Sequence, residues 1–183
     1  MRLFKTFSIA YQHDSMQCGV ACLKMVCEYF GKKYSLDAIS QVCFATTEGV
    51  SMLGISEAAK ELGLKAICVR AKLDDLVMAD MPCILHWNQN HFVVLYKVKK
   101  GRKFYVADPG KGRIIYSRDD MEKHWLSMAS MGESKGIVMF LETTSKFMDH
   151  SLPGEMENGE EERSLRFLFG YFKKYRKSFG LIF

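Results

Sequence analysis

A chain of 183 residues has room for one domain of ordinary size, with a sizeable core and a short appendage. Hydrophobic residues at 48% and charged residues at 26% fit a soluble globular protein, and they exclude a disordered or fibrous chain. A net charge of +5 is too mild to mark a nucleic-acid binder, and no aromatic-plus-basic stripe crosses the first 145 residues.

The six cysteines, Cys18, Cys22, Cys27, Cys43, Cys68 and Cys83, all fall in the first half. An even count invites a disulfide framework, but residues 1–7 are too short and interrupted for a secretory signal. No C-x-x-C pair occurs, which argues against zinc, so reduced thiols in a cytosolic setting are expected.

In chain order, residues 18–30 form an almost wholly apolar helical run that stops at Gly31. Its strongly polar side chains, Lys24 and Glu28, stand four apart on one face, so this helix should be surrounded by protein at the centre of the domain. A second helix is expected over 36–43 behind Ser35 as N-cap. A third is expected over 55–62, ending at Gly63 with Ala58, Ala59 and Leu62 facing inward, and a loop over 46–51 joins the two. After Gly63 the apolar period shortens toward two, predicting strands at 64–70, 83–87, 92–98, 103–107, 113–116 and 137–142. Tight connections are expected at 99–102 and 109–112, and short helices at 73–78 and 119–125. Helices followed by a mainly antiparallel sheet make an α+β architecture. A nucleophile at the start of a central helix, with its base on a sheet strand, is the papain-like layout.

From about residue 143 the composition changes. Residues 151–162 hold five glutamates with Pro and Gly, the mark of a solvated linker, so an acidic linker is expected over 143–162. Residues 163–183 then place Leu165, Leu168, Phe172, Tyr175 and Phe179 on one helical side and Arg166, Lys173 and Lys177 on another. That basic amphipathic pattern fits a membrane surface and is too short and charged to span a bilayer. A helix packed back on the domain is the alternative.

Four residues carry the chemistry. Cys18 sits at the front of its helix, where unpaired N–H groups and the helix dipole favour a thiolate. His91 follows a polar run and opens an apolar strand, which gives a base both access and rigid support. His13, His124 and His150 lie in a loop, a short helix and the linker, while His86 falls within a strand and reads as a sheet residue. Asp108 closes the next strand before Pro109-Gly110 and can orient the ring of His91. Gln12 can offer its amide to an oxyanion beside the Cys18 N–H. Taken singly, each has a plainer reading: a packing cysteine, a turn aspartate, a loop glutamine. Gly19 is expected to keep the turn open around the sulfur.

Gln12, five residues, then Cys18-Gly-Val-Ala-Cys-Leu-Lys-Met25 resembles the signature of the C39 peptidase family, the protease domains of peptidase-containing ABC transporters that process and export bacteriocins and quorum-sensing peptides. The resemblance continues through Glu48-Gly-Val-Ser-Met-Leu-Gly-Ile-Ser-Glu-Ala-Ala-Lys-Glu-Leu-Gly63, His91-Phe-Val-Val94 and Val106-Ala-Asp108-Pro-Gly-Lys-Gly112, covering about residues 8–142 in the family's order and spacing. One position departs: family members usually carry Asp before the nucleophile, and here it is Gln17. The resemblance implies a cysteine endopeptidase over 1–142 that removes a double-glycine leader from a precursor peptide, with Cys18, His91, Asp108 and Gln12 in the roles above. It implies no cofactor for the peptidase, with ATP and Mg belonging to a nucleotide-binding domain of the full-length protein. It also implies transmembrane and nucleotide-binding partners in the same transporter, a full-length homodimer, residues 163–183 as an interfacial elbow, and a place at the cytoplasmic face of the bacterial plasma membrane. A leader-docking module without strong catalysis and a stand-alone cysteine hydrolase are the rival classes.

Overall fold

The computed structural model describes residues 7–43, 49–126, 128–130 and 133–149. Its centre is helix α1 (Cys18–Tyr29), in which nine of twelve residues are buried. Val20, Leu23, Met25 and Val26 are fully enclosed, each contributing about 1.5–3 kcal/mol relative to exposure. Lys24 and Glu28 pair at 3.6 Å on the one polar stripe, as their spacing predicts. The helix ends where Gly31 adopts φ +104°.

Helices α2 (Leu36–Val42) and α3 (Met52–Glu61) begin with serine caps: Ser35 accepts from the Ala38 N–H and Ser51 from the Gly54 N–H. The strands are β1 (Leu64–Ala71), β2 (Cys83–Trp87), β3 (His91–Lys99), β4 (Lys103–Asp108), β5 (Gly112–Tyr116), β6 (Met128–Ser130) and β7 (Glu133–Thr143). Short helices α4 (Leu73–Val77), α5 (Arg118–Trp125) and α6 (Ser145–Asp149), and a 3-10 turn (Ser15–Gln17) that leads into α1, complete the described elements. The strands form one antiparallel sheet in the order β1-β7-β2-β3-β4-β5, with β6 against β7.

Alternation along the strands divides the interior in two. Ile84, Val94, Ala107, Met139 and Leu141 pack with α1, α2 and α3, while Leu85, Val93, Val106 and Val138 pack with Leu73 and Leu76 of α4 and Met121 and Trp125 of α5. The sheet is therefore covered on both faces, which gives the expected α+β, papain-like arrangement.

Three differences from the sequence reading have local causes. Helix α3 starts three residues early, because Ser51, assigned to the loop, is its cap. The acidic linker does not begin at residue 143: β7 runs through Thr143, and α6 follows. Helix α6 is held by Phe147, which is buried beside Gly63 and edge-on to Phe30, and by the Thr144 hydroxyl donating to the Gly63 carbonyl. Two adjacent apolar residues in five, of which only Phe147 is buried, are too little pattern to announce a helix. The short β6 was likewise not anticipated. The acidic stretch 151–162, the basic amphipathic segment 163–183 and His150 lie outside the described residues.

Candidate active site

The sheet order brings the ends of β3 and β4 beside the start of α1. His91 opens β3 and Asp108 closes β4, and because the two strands are antiparallel neighbours, both residues lie at the same end of the sheet. His91 Nε2 meets Asp108 Oδ1 at 2.8 Å, and the same oxygen accepts the Gly110 N–H at 2.8 Å. This second bond is the turn that an Asp-Pro-Gly sequence favours. Asp108 is almost wholly buried, at 1% exposure. While Nε2 is engaged by Asp108, the ring also interacts with Cys18, whose side chain acts on it through hydrogen bonding and charge.

The electrostatics follow from these contacts. Burial opposes protonation of His91. The hydrogen bonds and negative charge supplied by Asp108 and Cys18 outweigh it and raise its pKa to about 9. Burial likewise opposes ionisation of Asp108, but the hydrogen bonds from His91 and the Gly110 N–H, with the nearby charges of His91 and Lys111, hold the carboxyl below its ordinary value. Both shifts favour a charged imidazolium–carboxylate pair at neutral pH. His86, the competing histidine, lies inside β2, and burial lowers its pKa despite a backbone hydrogen bond at Gln89.

Cys18 is the first residue of α1 and is buried, at 6% exposure. No side chain caps the first turn of the helix, since Gln17 turns its Oε1 to accept the His13 N–H at 3.3 Å instead. The start of the helix and the positive end of its dipole thus lie at the sulfur without a competing side-chain cap. Gly19 also has a packing role. A Cβ there would stand 2.7 Å from Ile55 Cδ1 and 3.4 Å from the ring of Phe92, so its lack of a side chain lets α1 press against α3 and β3.

Gln12 joins the other three residues through the backbone. Its N–H donates to the Pro109 carbonyl at 3.1 Å, tying its loop to the turn that carries Asp108. The side chain lies beside Gly110, and its Oε1 is buried with no hydrogen-bond partner, so one polar end of the amide is unengaged. The loop is fastened on its other side by the Gln17 contact and by Asp14, whose Oδ1 accepts the Met16 N–H at 2.8 Å. The structure thus gathers all four sequence-identified residues at one end of the sheet. The sequence reading missed the supports: the Gly110 N–H, the Pro109 carbonyl, Asp14 and the Gln17 side chain. Asp108-Pro-Gly carried a readable signal for the first of these, and the Asp14 and Gln17 contacts are local to one loop, whereas the Pro109 contact depends on two distant loops meeting.

A cavity of about 330 Å³ is lined mainly by Val50, Met52, Phe92 and Ile137, with His86 and Asn90 among its few polar neighbours. The remaining thiols are also free: Cys22, Cys27, Cys43 and Cys83 are buried, and Cys68 is exposed. Among the described residues no group of three or more His, Cys, Asp or Glu could hold a metal ion.

A buried thiol at a helix start, an imidazole bridging it to a carboxylate and a nearby amide, set on this α+β frame, define a papain-like cysteine peptidase. The Peptidase C39 family profile matches residues 6–135, and the chain belongs to that family. It is 35% identical over 129 residues to a probable microcin-H47 secretion/processing ATP-binding protein of Escherichia coli, and 33% identical over 129 residues to the colicin V secretion/processing ATP-binding protein of the same organism. Each alignment covers 70% of this chain, which spans only 18% of the length of either relative. Among solved structures, a double glycine motif protease from an AMS/PCAT transporter, crystallised with its leader peptide, superposes with a TM-score of 0.67 at 30% identity, covering 79% of this chain and 96% of that one.

Proposed function

We propose that this chain is the peptidase part of a peptide exporter and cleaves a precursor after a double-glycine leader. The observation that carries the proposal is His91 bridging buried Asp108 at 2.8 Å to Cys18. In the proposed reaction the Cys18 thiolate attacks the carbonyl carbon of the second leader glycine, forming a C–S bond. The oxyanion is held by the Cys18 N–H and, after reorientation of its amide, by Gln12. His91 gives its proton to the departing amine as the C–N bond breaks, leaving a thioester. Water then surrenders a proton to His91 and attacks, releasing the leader acid and the thiol.

Two glycines before the scissile bond suit a cleft that excludes side chains, so docking energy must come from elsewhere on the leader. The apolar cavity at Val50, Met52, Phe92 and Ile137, which takes in both chain neighbours of His91, offers such a surface to an apolar leader face. The transporter relatives support the wider reading. In it, this domain works at the cytoplasmic face of a bacterial plasma membrane, joined to transmembrane and ATP-hydrolysing parts of a homodimeric exporter. The basic amphipathic residues 163–183 lie against the membrane surface in this arrangement.

The test is cleavage of a precursor carrying a double-glycine leader. The native chain should cut after the second glycine, while Cys18→Ala should bind the leader but not cut it. Retained turnover by Cys18→Ala would sink the nucleophile assignment. Binding without cleavage by the native chain would leave a docking module. Cleavage of other amides with no protection of Cys18 by leader would indicate a different hydrolase.

A further inference from the structure

The end of the sheet opposite Cys18 carries a charge pattern that the peptidase chemistry does not use. The β3–β4 hairpin reads Lys97-Val-Lys-Lys-Gly-Arg-Lys103, five cations in seven residues with no acid among them. All five cationic residues are exposed. Lys97 rests over the ring of Tyr105 at 5.3 Å, and none of the five makes an ion pair among the described residues. The neighbouring helix α4 packs beneath the hairpin through Val77 against Gly101, but its acids are occupied: Asp74 binds Arg118 at 2.8 Å, and Asp75 accepts the Lys72 N–H at 2.7 Å.

The topology sends the C-terminal chain out at this same end. Cys83 of β2 pairs with Leu95 on one side and with Phe140 on the other, so β3 and β7 run in the same direction at the same level. Lys99 is four residues past Leu95, and Thr143 is three past Phe140. Helix α6 then packs beside Gly63, at the same end of the sheet, and the described chain leaves at Asp149. Beyond Asp149 the sequence includes Glu155-Met-Glu-Asn-Gly-Glu-Glu-Glu162, five acids in eight residues with no cation. Three strand steps from β7 to β4 span about 14 Å. Six extended residues from Asp149 to Glu155 reach about 20 Å, and the stretch to Glu162 reaches about twice that.

We propose that residues 155–162 dock on the basic hairpin at residues 97–103. A single exposed ion pair is weak and screened by salt, but five acids tethered within reach of five cations meet at high effective concentration. Docking there holds the chain beyond the peptidase domain on the side away from Cys18 and leaves the cleft open to a peptide.

Zero-length carbodiimide cross-linking of the full 183-residue chain, at low salt and high dilution, tests this. Cross-links from Glu155, Glu157, Glu160, Glu161 and Glu162 should concentrate on Lys97, Lys99, Lys100 and Lys103 rather than on Lys65 and Lys146, which lie nearer the exit. They should fall several-fold in about 1 M salt, where the screening length is about 3 Å. They should also fall in Lys97→Gln with Arg102→Gln, where three lysines remain as reporters. Cross-links that favour Lys65 and Lys146, ignore salt, or form only between molecules overturn the proposal. So does an absence of hairpin cross-links; binding to phosphatidylglycerol vesicles lost in the same double variant would then make an anionic lipid surface the occupant.

Discussion

The first turn of α1 and its interior present the same side chain in two environments. Cys18 and Cys22 are one turn apart, and both are buried. Cys18 faces an imidazole that Asp108 holds in place, with helix N–H groups beside it. Cys22 faces protein, and burial, with the nearby Cys18 and Asp108, pushes its pKa well above the ordinary thiol value. Burial does the same to Cys27 and raises Cys43 to about 12. Depth in the fold therefore does not distinguish the reactive cysteine from the packing ones. The difference lies in whether a cationic partner meets the sulfur at a helix start.

The comparison can be broken most sharply by exchanging the two roles. Cys18→Ala and His91→Ala should each reduce cleavage of a double-glycine precursor by about 10⁴-fold or more in single-turnover kinetics, because nucleophile and base act as one unit. Cys22→Ala should leave the rate constant nearly unchanged.

Asp108→Asn should slow cleavage by up to about 10⁴-fold and alter its pH profile. In the native chain the imidazolium needed to protonate the leaving amine is lost as pH rises through about 9, setting the alkaline limb there. Without the carboxylate that limb should move down toward about 6.5, the ordinary histidine value. The sign for stability is the same: the raised His91 pKa stabilises the fold fully below about 6.5, and this contribution is lost as pH climbs through about 9. The lowered Asp108 pKa acts oppositely, its contribution being lost as pH falls below about 4. An Asp108→Asn profile that keeps its alkaline limb near 9 would demote Asp108 to a turn residue.

Gln12→Ala should lower the rate constant about 10²- to 10³-fold with little change in KM, as expected when an oxyanion donor is lost. The smallest effect tests the packing half of the comparison. Cys22→Ser should cost about 1–3 kcal/mol in denaturant unfolding, because a hydroxyl enclosed there lacks an assured partner.

Much of this was legible in the chain because it rests on local pattern. The apolar run from Cys18, the serine cap at Ser35, the glycines at 31 and 63 and the period-two strands each report a constraint felt within a few residues. His91 and Asp108 were readable for a related reason, since each marks the boundary between an apolar strand and a polar turn. What the sequence hid depends on distant segments meeting. Gly19 looked like a device for an open turn, yet its neighbours Ile55 and Phe92 come from elements 36 and 73 residues away. Helix α6 exists because Phe147 finds Gly63, and the Gln12 loop is fixed by Pro109, a contact spanning 97 residues. The apolar cavity at Met52, Phe92 and Ile137 draws its lining from three separate segments, so no local window could reveal it.

The most direct test is site-resolved alkylation of the full chain with iodoacetamide near pH 6.5, each cysteine being followed by peptide mass. Cys68 is exposed, whereas Cys18 is only 6% exposed. Pairing with His91 predicts that Cys18 is modified first nonetheless, stoichiometrically, and that His91→Ala removes this priority while Cys22, Cys27 and Cys43 stay unmodified. Cys68 reacting ahead of Cys18, or Cys18 reacting equally fast without His91, would contradict the account.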